Sequence, residues 1–317
     1  MKKRIISVLL ATVFALSVIG CGTKDTKEQD AYRQYGITCM ESGKYEDAVK
    51  AFQNALGESI GHIGEKELDI CFYKAKAQAL DGKTKDALAT YDAIIKYNKD
   101  ARAYYLRGDL YMDMGEEKEG RADFESAVQH GKKNYEIYIG IYESLSRHEK
   151  KDEGQKYLSA AMEIQGDKPE DELYKGRISY LLGENKDAIS YLEKAKEHKQ
   201  MLASYYLGLA YDANGDSDKA KKCIAEYIKS GVATSYDLYE LGMQEMQDGN
   251  YKNALTYFNS GLELEKVPNK QNLMKSAIAA YEYSGDFDSA KKMIKEYLKA
   301  YPDDEEAKHE NTFLETR

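Results

Sequence analysis

The sequence predicts an all-α protein, a solenoid of about eight helix-turn-helix units closed by a C-terminal capping helix. Three observations carry this. A small residue recurs at a period near 34, as Ala48, Ala87, Gly120, Gly154, Ala188, Ala220, Ala254 and Ala290. Four residues after each stands a large apolar one: Phe52, Tyr91, Phe124, Leu158, Leu192, Ile224, Phe258 and Ile294. Five residues before it stands a glycine (Gly43, Gly82, Gly115, Gly183, Gly215, Gly249 and Gly285), with Glu149 in the fourth unit instead. The composition agrees, with three prolines in 317 residues and no tryptophan, because few helix breakers are left to interrupt long Lys-, Glu-, Ala- and Leu-rich stretches.

Each recurring position has a physical cause. Numbering the small residue as twenty, the glycine at fifteen ends a first helix in a left-handed turn. Position eight reads Gly36, Ala75, Gly108, Tyr142, Gly176, Gly208, Gly242 and Ile278. Small residues at eight and twenty let the two helices of a hairpin approach closely, and the large residue at twenty-four fills the space between them. One such hairpin cannot bury its apolar face alone, so stacked neighbours must bury it jointly. The first two units are spaced by 39 residues, and Gly57, Gly61 and Gly64 in the excess predict a longer loop. The fourth unit, Tyr135 to Lys168, is the most degenerate. After Pro302, the acidic Asp303-Asp304-Glu305-Glu306 and the apolar Phe313-Leu314 predict a capping helix over 303–317.

This pattern closely resembles the tetratricopeptide repeat, over Gln29 to Pro302. Its fullest unit runs Tyr32, Gly36, Gly43-Lys44-Tyr45-Glu46-Asp47-Ala48, Phe52 and Ala55. Only Pro302 matches the proline common at position thirty-two, so the joints between repeats depart from the family's. The resemblance implies a right-handed superhelix over 29–302 that binds proteins or peptides in a concave groove. The groove positions of first helices are two, five, nine, twelve and thirteen. They place Phe72, Tyr105, Met112, Tyr180, Tyr205, Tyr236, Tyr239, Met243 and Met246 there. Tyrosine, at 28 copies against 7 Phe, and methionine suit such surfaces, although packing between first helices uses the same residues. Tyr236, Tyr239, Met243 and Met246 form one helical stripe. Leu238, Leu241, Gly242 and Glu245 fall at the family's packing positions, which leaves the stripe free for a partner. The Lys/Asn/Arg arrangement that clamps a C-terminal carboxylate in some members is absent from these positions.

The N-terminus carries a different signal. Lys2, Lys3 and Arg4 precede the apolar run Ile5 to Ile19, which is too short for a membrane span and reads as a secretory signal over 1–20. Val18-Ile19-Gly20-Cys21 resembles a bacterial lipobox. That resemblance implies that Cys21 is lipidated and becomes the new N-terminus, with residues 21–28 as a polar tether. It further implies anchorage on the extracytoplasmic face of the cell membrane through the lipid.

No chemistry emerges from the remaining residues. The formal net charge of −9 is spread along the chain and excludes nucleic acid as the main partner, which needs a basic stripe. Gly82-Lys83-Thr84 lacks the earlier glycine of a phosphate loop, Ala77 standing in its place, and reads as a repeat turn. The five histidines show no metal-ligand spacing. Cys39, Cys71 and Cys223 read as free thiols, with a Cys39–Cys71 bridge as the alternative outside the cytoplasm. No enzyme, metal or cofactor is expected. The reading is a scaffold or adaptor in envelope assembly, secretion or cell-wall maintenance. The rival is a peptide- or small-ligand-binding lipoprotein for uptake or sensing.

Overall fold

A computed structural model describes residues 24–59, 63–166 and 168–317. Among these the chain forms seventeen α-helices and no strand. It divides into two compact units that part after Val232.

The unit before that boundary holds six hairpins. They are α1 (Lys24–Glu41) with α2 (Tyr45–Gly57), α3 (Glu65–Leu80) with α4 (Thr84–Asn98), α5 (Ala101–Asp113) with α6 (Glu117–His130), α7 (Tyr135–Arg147) with α8 (Lys151–Met162), α9 (Pro169–Leu182) with α10 (Asn185–Glu197), and α11 (Ala203–Ala213) with α12 (Ser217–Lys229). The second unit holds α13 (Ser235–Gln247) with α14 (Tyr251–Leu262), α15 (Lys270–Tyr283) with α16 (Phe287–Ala300), and a last helix α17 (Glu305–Glu315).

The turns inside the hairpins are one structure repeated. The seven glycines at position fifteen have φ between 69° and 85°, the left-handed region that costs a residue without Cβ nothing. The N–H after each then reaches back five residues, as in Lys44 to the Cys39 carbonyl at 2.8 Å and Asn250 to Glu245 at 2.8 Å. Glu149 adopts the same conformation at φ 62°, and Lys150 closes the same bond to Leu145 at 2.8 Å. The turn geometry therefore survives where the glycine does not.

Close approach explains the small positions. A Cβ on Gly242 would lie 2.2 Å from the Phe258 ring, so position eight stays bare to admit the ring at twenty-four. The fourth unit solves the same packing in reverse. Tyr142 occupies position eight, and a Cβ on Gly154 at position twenty would come within 3.1 Å of it. Bulk moved to one helix is matched by its removal from the other, and Leu158 stays fully buried.

Two expectations change at the margins. Helix α1 begins at Lys24, so part of the tether expected over 21–28 is helical. Lys, Glu and Gln favour helix there, and the Gln29 amide donates to Glu67 of α3 at 2.9 Å. At the other end α17 buries Leu314 and Ala307 but leaves Phe313 exposed. Asp304 ties this helix down, accepting from the Tyr297 hydroxyl at 2.5 Å, from Lys275 at 2.7 Å and from the Ala307 N–H at 3.1 Å. These donors hold its carboxyl well below the usual carboxylate range.

Candidate protein-interaction face

The first helices of units two to five each carry a charge at position nine. These are Lys76, Asp109, Glu143 and Arg177, four charges where a packing position would be apolar. Arg177 donates to Glu143 at 2.8 Å and lies 5.4 Å from the centre of the Tyr206 ring. Asp109 is buried and accepts from Arg147 at 2.5 Å. Burial pushes its carboxyl up, and the guanidinium opposes that shift. Further arginines extend the pattern: Arg102 sits 3.7 Å over the Phe72 ring, and Arg33 bonds Asp69 at 2.7 Å. Lys76 is half-buried, and among the described residues no carboxylate lies within 4.0 Å of it. Desolvation lowers its pKa.

The residues expected in the groove divide into two sets. Phe72, Tyr105 and Met112 are buried, at 7%, 7% and 2% exposure, and do not offer their side chains to a partner. Position five of α3 and α5 turns into the packing: Phe72 meets Tyr91 at 6.5 Å and Tyr105 meets Phe124 at 6.3 Å. Met112 at position twelve fills the space that Gly120 leaves, 2.8 Å from where a Cβ would stand.

Tyr180, Tyr205, Tyr236, Tyr239, Met243 and Met246 are half-buried. The last three are not left free for a partner, because they pack against Ala254, Phe258, Leu273 and Ala277. Tyr239 lies 6.2 Å from the Phe258 ring, and the Ser276 hydroxyl meets the Met243 sulfur at 3.6 Å. The stripe thus bridges α13 to both α14 and α15, exposing only part of each side chain. Tyr205 packs edge-on against Tyr206 at 5.1 Å.

Sequence reasoning does not single out these arginines, because a charge on one helix is ordinarily a solvated residue. Four charged residues in a row at position nine were the available signal. What the face offers chemically is recognition. Guanidinium groups held by carboxylates and rings present fixed donors, and half-buried tyrosines present area at little entropic cost.

Cys39, Cys71 and Cys223 are free thiols. Cys21 and the signal expected over 1–20 lie outside the described residues. No helix among the described residues is long and apolar enough to cross a membrane.

Models of the tetratricopeptide repeat match residues 74–135, 202–230 and 271–304, and the chain carries tetratricopeptide repeats there. No curated protein matches the sequence. Among solved structures, a tetratricopeptide repeat protein from Parabacteroides merdae is 11% identical, with 80% of this chain and 99% of that one covered and a TM-score of 0.47. PilW, described as a widely conserved type IV pilus biogenesis factor, is 17% identical over 66% of this chain and 97% of its own, with a TM-score of 0.44. The APC/C hetero-tetramer Cut9-Hcn1 is 16% identical over 91% of this chain and 56% of its own, also at 0.44.

Proposed function

We propose that this protein is a scaffold, anchored by lipid on Cys21 to the extracytoplasmic face of a cell membrane, that holds partner proteins on its first-helix face. The observation that carries the reading is the run of position-nine charges, with Arg177 fixed between Glu143 and Tyr206. Arginine and tyrosine are the residues that interfaces concentrate, and a guanidinium already oriented loses less entropy on binding. The tetratricopeptide repeats in the chain support the same reading, and envelope assembly, secretion and cell-wall maintenance are the settings that suit it.

Photo-crosslinking in intact cells tests the face directly. A benzophenone amino acid at Tyr180 or Tyr236, both half-buried on first helices, is expected to capture discrete proteins. The same group at Lys186, exposed on the second helix α10, is expected to capture none of them. Equal products from both faces would refute the assignment.

A further inference from the structure

The expanded spacing between the first two hairpins has a structural counterpart on another face of the molecule. A cleft of about 520 Å³ opens between α2, α3 and α4. Along α3 it is lined by Leu68, Cys71, Lys74 and Gln78, one stripe spanning about 15 Å at the helical rise. Helix α4 runs antiparallel, so the two ends of the cleft differ in chemistry. One end is closed by Ile63, Leu68, Ile94 and Tyr97, and the Tyr97 hydroxyl is engaged by the Ile63 carbonyl at 2.9 Å. This end is apolar. At the other stand Gln78, Thr90 and Asp86, with Lys74 one helical turn before Gln78.

Gln78 is the informative residue. It is 5% exposed, and its Oε1 accepts from the Thr90 hydroxyl at 2.8 Å, a hydroxyl that also lies 3.0 Å from the Asp86 carbonyl. Its NH₂ group has no acceptor among the hydrogen bonds of the described residues. Lys74 is half-buried and has no carboxylate within 4.0 Å among the described residues. Asp86 is exposed at the rim, so it does not neutralise the interior. Cys71, between the two ends, keeps its proton because burial pushes the thiol up, and it adds to the apolar wall. An apolar trough with an amide donor and a cation one helical turn apart along its wall has the make-up of a ligand site.

We propose that this cleft binds an aliphatic carboxylate, with the hydrocarbon chain along Leu68, Ile94 and Tyr97 and the carboxylate on the Gln78 amide and the Lys74 ammonium. The length of the trough matches a chain such as decanoate's. The site stands independently of the scaffold reading, since it lies between α2, α3 and α4 and uses none of the first-helix ion pairs.

The probe is decanoate, titrated calorimetrically into the full chain. Saturable binding at one site is expected, with decan-1-ol about tenfold weaker for lack of the charged acceptor. Ala93→Trp, at an exposed residue of α4 that lines the trough, is expected to abolish binding while the helical circular dichroism is kept. Gln78→Leu, similar in size, should weaken it about tenfold. Decanoate should also slow alkylation of Cys71 and leave the buried Cys39 and Cys223 unaffected. Absence of saturable binding, or unchanged binding in Ala93→Trp, overturns the site. Binding lost in Ala93→Trp but equal for decanoate, decan-1-ol and Gln78→Leu overturns the carboxylate assignment.

Discussion

Glu149 holds φ 62°, the conformation that seven glycines supply elsewhere. For a residue with a Cβ that conformation costs about 1–2 kcal/mol. The cost is borne because α7 and α8 are otherwise deeply packed, with Ile139, Ile141, Leu145 and Leu158 almost wholly buried. Glu149→Gly should therefore stabilise the protein, by up to about 1 kcal/mol once glycine's greater freedom in the unfolded chain is subtracted. Urea unfolding measures this, and a lower midpoint for the variant would contradict the strain. The position of Glu149 was legible from its neighbours in register, but its conformation was not. The turn imposes that angle through the Lys150–Leu145 bond, and nothing in glutamate itself signals it.

Helix α17 shows how a single element acquires a pH dependence. Burial and the nearby Glu310 of α17 push the carboxyl of Glu282 in α15 up to about 7. A carboxyl raised on folding contributes stability that is full below the ordinary value of 4.5 and is lost as pH rises toward 7. The Asp304 contacts work the other way, failing only as pH falls below the usual aspartate range. Melting temperature should accordingly fall by a few degrees between about pH 5 and about pH 8, and Glu282→Gln should remove most of that fall. An equal fall in the variant would assign the dependence to other groups. At this scale the sequence was most informative, because glycine, small and large residues at fixed spacing each answer to a packing demand. It was least informative about which side of a first helix faces out. Positions five and twelve carry apolar residues that suit a binding surface, yet Phe72, Tyr105 and Met112 among them serve the core. Tyrosine and methionine suit both roles, and only the neighbouring hairpin decides between them.

Across the whole molecule, the proposed lipid anchor and the repeats make separable claims. Cys21→Ser should release the protein from membranes in cell fractionation while its helical content and melting curve stay those of the wild type. Retention of the variant in the membrane pellet would place the anchor elsewhere. The position-nine charges belong to this scale too. No single hairpin reveals them as a set, since each charge is ordinary on one helix and finds its partner on the next, Asp109 on Arg147 at position thirteen and Glu143 on Arg177.

The repeated turn has a mechanical consequence. Within each compact unit, substantial contacts join helices only one or two places apart in chain order. A tensile load applied to the two ends of such a unit has no long-range contact to break. It peels hairpins away singly, each loss leaving its neighbour still folded. Each event frees about 34 residues, roughly 110 Å of slack. The molecule lengthens in steps instead of snapping, and it can rewind from whichever hairpins remain.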